Sequence, residues 1–188
     1  MSTSAPDRTA LLSTVRPLCP DVAPEILDDF FSRMDPEYFR RFKPPAIADH
    51  IRSTAQLTPE RPCAIAFAAQ QDARFEVTIV AYDYFSEFAT ICGLLSAFGL
   101  NIEEGDIYTF GETAAAPPAR TSWAGYGPRV RTTGSPGLTR KKIVDVFRVL
   151  PVPGVELGDI QQKHLTDALH SVITVLDKGK FTEARCAG

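Results

Sequence analysis

Over the first sixty positions, apolar residues recur at the spacing of helix faces. Ile26, Leu27, Phe30, Phe31 and Met34 follow Pro24, a first-turn residue behind Asp21, and predict an amphipathic helix. Asp35 and Pro36 read as a cap and first-turn pair ahead of Tyr38, Phe39 and Phe42. Pro44-Pro45 ends that piece and opens a third, which carries Ile47 and Ile51. Three short helices are expected. At Arg61 the period falls from 3.6 to 2, which divides an N-terminal helical segment, residues 1–60, from a second unit, residues 61–182. Ile65 and Phe67 alternate with alanines over 63–69, Gln70-Gln71-Asp72 supplies a turn, and Phe75, Val77, Ile79 and Ala81 alternate over 75–83. That pattern is a β-hairpin.

From Glu87 the spacing is helical again: Phe88, Ile91, Leu94, Leu95 and Phe98 form one stripe, and Gly99 stands where a helix stops. Asn101 to Phe110 reads as a strand with a bulge near Gly105, because Ile102 is out of phase with Ile107 and Thr109. Residues 113–139, with four prolines and four glycines, predict a flexible insertion. Lys142 to Val149 is a strand with apolar side chains on both faces: Ile143, Phe147 and Val149 on one, Val144 and Val146 on the other. Both faces of the sheet therefore need cover, by its own helices on one side and by a partner or the N-terminal helices on the other. A long helix is expected from Asp159 to Lys178, with Ile160, Leu165, Leu169, Val172 and Leu176 inward.

Composition narrows the class. The chain has 188 residues, 44% apolar and 23% charged, which suits one core of ordinary globular make-up and excludes wholesale disorder or a coiled coil. A net charge of −3 gives no global attraction to nucleic acid or to an anionic membrane. The four cysteines form no C-x-x-C pair and read as reduced thiols, so neither a zinc site nor a thioredoxin-like motif is expected. With no signal-peptide pattern and no long apolar run, the expected location is the cytoplasm.

The order from residue 75 onward is strand, helix, strand, loop, strand, helix, the split β-α-β pattern of ferredoxin-like folds. The segment Val80-Ala81-Tyr82-Asp83-Tyr84-Phe85-Ser86-Glu87-Phe88-Ala89-Thr90-Ile91 carries a closer resemblance, together with Gly93-Leu94-Leu95, Gly99-Leu100-Asn101-Ile102 and Ile107-Tyr108-Thr109. It resembles the ACT regulatory domain. With Val144-Asp145-Val146-Phe147-Arg148-Val149 added, it is similar to the ACT regions of bacterial PII uridylyltransferase and glutamine synthetase adenylyltransferase-like proteins. The resemblance implies an α+β fold with an ACT-type sheet and helices on one face. The strand that usually follows the second helix has no counterpart here, so the preceding hairpin is expected to supply that edge.

By the same resemblance, the function is to sense a small amino acid, with glutamine as the family-based guess, in the control of nitrogen metabolism. The effector would lie between the loop after the first strand, the helix that follows it and the start of the second strand, usually at a dimer interface. That carries over to Asp83, Tyr84, Phe85, Ser86, Glu87 and Phe88, and to Asn101 and Ile102. Ser86 stands where the common loop has glycine, and an effector-free module for dimerisation or protein interaction is the alternative reading. The expected partners are the amino acid, a second copy or a nucleotidyltransferase. The chain can also be read as the regulatory fragment of a larger uridylyl- or adenylyltransferase.

Catalytic chemistry is not legible. His50, His164 and His170 form no metal constellation and read as surface or boundary residues, and Gly134-Ser135-Pro136-Gly137 lacks the lysine of a phosphate loop. The span from Thr113 to Val144 has no acidic residue, so the paired carboxylates that would hold magnesium beside a nucleotidyltransferase Gly-Ser are missing. No cofactor is expected. That span does hold Arg120, Arg129, Arg131, Arg140, Lys141 and Lys142 around Trp123 and Tyr126; a solvated loop is the expectation, with an acidic protein surface or single-stranded nucleic acid as the sharper reading. Asp83 reads as a helix cap as well as a ligand group, and Asn101 as a turn residue. Asp145, inside a strand, is expected to pair with Arg148 or with a backbone donor.

Overall fold

A computed structural model describes residues 7–83, 87–111 and 141–177. Its elements are α1 (Arg8–Val15), a 3₁₀ turn (Arg16–Leu18), α2 (Pro24–Arg33), α3 (Pro36–Arg41), α4 (Pro44–Ala55), β1 (Cys63–Ala69), β2 (Phe75–Tyr82), α5 (Glu87–Ala97), β3 (Leu100–Thr109), β4 (Lys142–Pro151) and α6 (Asp159–Asp177). The four strands form one antiparallel sheet in the order β1-β2-β4-β3, an α+β arrangement in which the hairpin strand β1 takes the edge beside β2. Helix α1 precedes the three helices expected from the sequence. Its few large apolar residues, Leu11, Leu12 and Val15, share one face with Arg8, which masks the pattern, and Asp7 caps it by accepting from the Thr9 N–H at 3.0 Å.

Sheet alternation sends successive side chains to opposite layers. Val77, Ile79, Ala81, Ile143, Phe147 and Val149 pack with Ile91, Leu95, Leu165, Leu169 and Val172 of α5 and α6. Ala64, Val80, Tyr82, Val144 and Val146 pack instead with the N-terminal helices. Helices therefore cover both faces rather than one, and the second cover is the chain's own N-terminal segment. That segment shares its core with the sheet.

The N-terminal layer is held by aromatic rings. Phe30 meets Tyr38 edge-on at 5.5 Å and Phe110 at 5.2 Å, while Tyr38 meets Tyr108 at 5.2 Å. Between the rings lies His50, buried rather than at the surface, with Nδ1 2.6 Å from the Tyr38 hydroxyl. A clamp joins α2 to the end of β3: the Gly111 N–H donates to the Arg33 carbonyl at 2.9 Å, and Arg33 Nε donates to the Gly111 carbonyl at 2.9 Å. Arg33 also lies 5.5 Å from the Phe110 ring centroid.

The remaining expectations concern single positions and loops. The break in β3 register falls between Ile102 and Glu104, just ahead of Gly105. Ile160 is 74% exposed, because it sits in the first turn of α6 before the helix reaches the sheet. The insertion 113–139 lies outside the described residues. Gly99 has φ +73 and its backbone is crowded by Val155, so the stop after α5 requires glycine.

Replacing Phe110 with alanine would remove the ring at the junction of α2, β3 and the Arg33 clamp. The expected cost is about 3–5 kcal/mol of unfolding free energy, read from urea denaturation with the far-UV circular dichroism of the folded state unchanged.

Candidate functional site

β4 is the inner strand between β2 and β3, and both its faces are buried. Its side chains are apolar from Ile143 to Phe147 except for one, Asp145, which is 1% exposed. Asp145 shares parity with Ile143 and Phe147 and so lies on the side of α5 and α6, flanked in register by Ile79 and Ile107. Among the described residues, its Oδ1 is the one buried side-chain oxygen or nitrogen without a hydrogen-bond partner.

The expected pairing with Arg148 is not made. Three positions along a strand reverse the face, so Arg148 projects to the other side and binds Glu104 at 2.6 Å. Burial is the main cause that lifts the Asp145 carboxyl from its ordinary value of 3.8 to about 7, and the negative charge of Asp83 adds to it. Asp145 in turn acts on Cys92 of α5, whose thiol is raised first by burial and then by this carboxylate. The orphan acid thus sits under α5, toward the end of the sheet where β2 finishes.

Asp83 leaves β2 at that end. Its N–H donates to the Lys141 carbonyl at 2.9 Å and its side chain is exposed. Glu87 opens α5, and Phe88 behind it is 53% exposed with its ring 6.2 Å from Phe147 in a stacked arrangement. Tyr84, Phe85 and Ser86 lie outside the described residues. Ile107 on β3, opposite Asp145 in register, is also exposed.

Asn101 and Ile102 are elsewhere. β2 and β3 both run antiparallel to β4, so they are parallel to one another. Tyr82 pairs with Lys142 whereas Asn101 pairs with Leu150, eight residues further along β4. At the rise of an extended strand, this separates the two arms of the sequence-predicted site by about 27 Å. One chain does not bring them together. Asp83, Phe88 and Asp145 cluster at one end, and Asn101 and Ile102 lie at the other.

Sequence reasoning singled out Asp145 as anomalous but gave it a partner by proximity along the chain. The usable signal was parity: an acid flanked by apolar residues of its own face has no cation beside it. No His, Cys, Asp and Glu cluster suited to a metal ion occurs among the described residues. Nor is any described helix long and apolar enough to cross a membrane. No protein-family model matches the chain, and no curated protein matches it.

Two buried groups give stability a pH dependence of opposite sign. His50 is lowered from 6.5 to about 4, chiefly by burial, so its unfolded state takes up a proton first and stability falls as pH drops from 6.5 toward 4. Asp145 is raised from 3.8 to about 7, so its folded state takes up a proton first and stability rises as pH drops from 7 toward 3.8. In the shared window the two slopes oppose. Asp145→Asn is expected to be more stable than the unaltered chain at pH 8 by roughly 2–4 kcal/mol, with the gap closing by pH 4.5. Urea denaturation at the two pH values checks it; equal stability at pH 8 would show that the carboxylate is compensated.

Proposed function

We propose that the chain is an ACT-like regulatory module of ferredoxin-like topology that binds a small amino acid at the end of the sheet shared by Asp83, Asp145 and the start of α5. The observation that carries this is the buried Asp145 carboxyl, whose Oδ1 has no hydrogen-bond partner among the described residues, with a second acid, Asp83, acting on it. A desolvated acid with no cation beside it is costly, and a ligand ammonium supplies the missing charge and donors. The start of a helix favours a ligand carboxylate, and the apolar surface of Phe88 and Phe147 suits a side chain. The strand order β1-β2-β4-β3, with helices after β2 and β4, supports the ferredoxin-like reading.

By resemblance, glutamine is the first ligand to try, and the signal passes to a nucleotidyltransferase partner or domain in the cytoplasm. Nucleic acid is not a proposed partner. A site that also uses Asn101 and Ile102 requires a second copy, because the two arms stand at opposite ends of one sheet. That separation favours a second reading, an effector-free dimerisation module; a dimer that persists in Asp83→Ala/Asn101→Ala with no amino-acid response supports it.

Calorimetric titration of the folded chain with a panel of amino acids, glutamine included, tests the ligand. Saturable binding at or below millimolar concentration is expected, and Asp83→Ala or Asp145→Asn should weaken it at least about tenfold. The ammonium needs the ionised acid, so affinity should fall below pH 7, approaching tenfold per pH unit, as Asp145 must release its proton. A folded sample with no binding at millimolar concentration overturns the reading.

A further inference from the structure

β1 is an outer strand with a composition unlike that of the opposite edge. Its seven residues, Cys-Ala-Ile-Ala-Phe-Ala-Ala, carry no charge and no proline. β3 at the other edge carries Glu103, Glu104 and Asp106, which bind Arg74, Arg148 and Arg41. Charged edges resist pairing with another strand, and an apolar, uncharged edge invites it.

The β1–β2 register tells which backbone groups face outward. Tyr82 N–H donates to the Pro62 carbonyl at 3.4 Å and Gln70 N–H donates to the Arg74 carbonyl at 2.8 Å, one pair at each end of the hairpin. Hydrogen-bonded pairs alternate along an antiparallel ladder, so Ala64, Ala66 and Ala68 bond inward to β2. Ile65 and Phe67 turn their N–H and C=O groups to the open edge, and among the described residues no strand takes them. On the side of the N-terminal helices, a groove of about 260 Å³ lined by Ala46, His50, Ser53, Ala66 and Ala68 lies between α4 and this edge. Ala66, Ala68 and Ala69 are exposed.

We infer that β1 is a self-pairing edge, where two copies of this chain join antiparallel through a twofold axis at Ala66 to form a continuous eight-stranded sheet. The register is self-consistent. An axis at Ala66 places Ile65 opposite Phe67 of the second copy, and Phe67 opposite its Ile65. Both residues present outward groups, so each pair exchanges two backbone hydrogen bonds. The same pairs set a β-branched side chain beside an aromatic ring across the seam, a favourable cross-strand combination. The interface uses the same patch on both copies and closes, leaving no apolar edge for further addition. Self-pairing through β3 would instead align three acids from each copy. The inference does not depend on an amino-acid ligand.

Ala66 on the axis forms a non-hydrogen-bonded pair with its own copy, whose Cα atoms stand about 4.5 Å apart, within the range that a disulfide spans. Analytical ultracentrifugation of the full chain, without amino acid, is expected to show a concentration-dependent dimer. Ala66→Lys, which opposes two like charges on the axis, should raise the dimer dissociation constant roughly tenfold or more, while Thr109→Lys on the β3 edge leaves it unchanged. Under mild oxidation, Ala66→Cys should give a covalent dimer that neither the unaltered chain nor Ala68→Cys gives to the same extent. A monomer at every concentration, a dimer lost with Thr109→Lys but kept with Ala66→Lys, or no Ala66→Cys cross-link overturns the inference. The cross-link decides even where the lysine variant fails to fold.

Discussion

Burial of β4 on both faces is the constraint from which the rest of the arrangement follows. Val144 and Val146 need an apolar layer on one side, Ile143, Phe147 and Val149 on the other, and the sheet has to be enclosed twice. α5, which connects β2 to β3, and α6, which follows β4, enclose one face. The second face is enclosed by the helices that precede the sheet, and their hold on it is aromatic. Phe30, Tyr38, Tyr108 and Phe110 interlock edge-on, with His50 filling the space between rings and Arg33 tying the end of α2 to Gly111. The N-terminal segment is in that sense part of the sheet's core rather than an appendage.

Against that background, Asp145 is the exception that points to chemistry. A carboxylate in the middle of a doubly buried strand opposes the same burial that holds the fold together, and nothing among the described residues compensates its Oδ1. Local rules are commonly broken where function requires it. The neighbouring features have a common direction: Asp83 is close enough to repel it, α5 begins above it, and Phe88 and Phe147 provide an apolar wall. These are the features on which the proposed amino-acid site rests.

The two edges of the sheet divide the remaining surface. β3 is occupied by acids held in ion pairs with Arg41, Arg74 and Arg148, whereas β1 is uncharged and built largely of alanine. Such asymmetry assigns different tasks to the two edges.

Much of the architecture was legible in the residues themselves. The hairpin over 63–69 and 75–83, the stripe of Phe88, Ile91, Leu94 and Leu95, and the two-faced β4 are local patterns, and local patterns are what periodicity reports. Helix α1 escaped because Arg8 shares the face of its few large apolar residues, and His50 escaped because its burial depends on packing against Tyr38 and Phe42 from the preceding helix and its end, which no periodicity within α4 reports. Asp83, Glu87 and Phe88, like Asn101 and Ile102, were implied by the ACT resemblance; that the two groups lie at opposite ends of one sheet was a matter of strand direction, which no local pattern encodes. The sequence alone determined which faces of each element are apolar and that one acid sits among them. The tertiary structure decided what covers those faces, and that Asp145 Oδ1 has no partner among the described residues, because alternation along β4 sends Arg148 to the opposite side of the sheet.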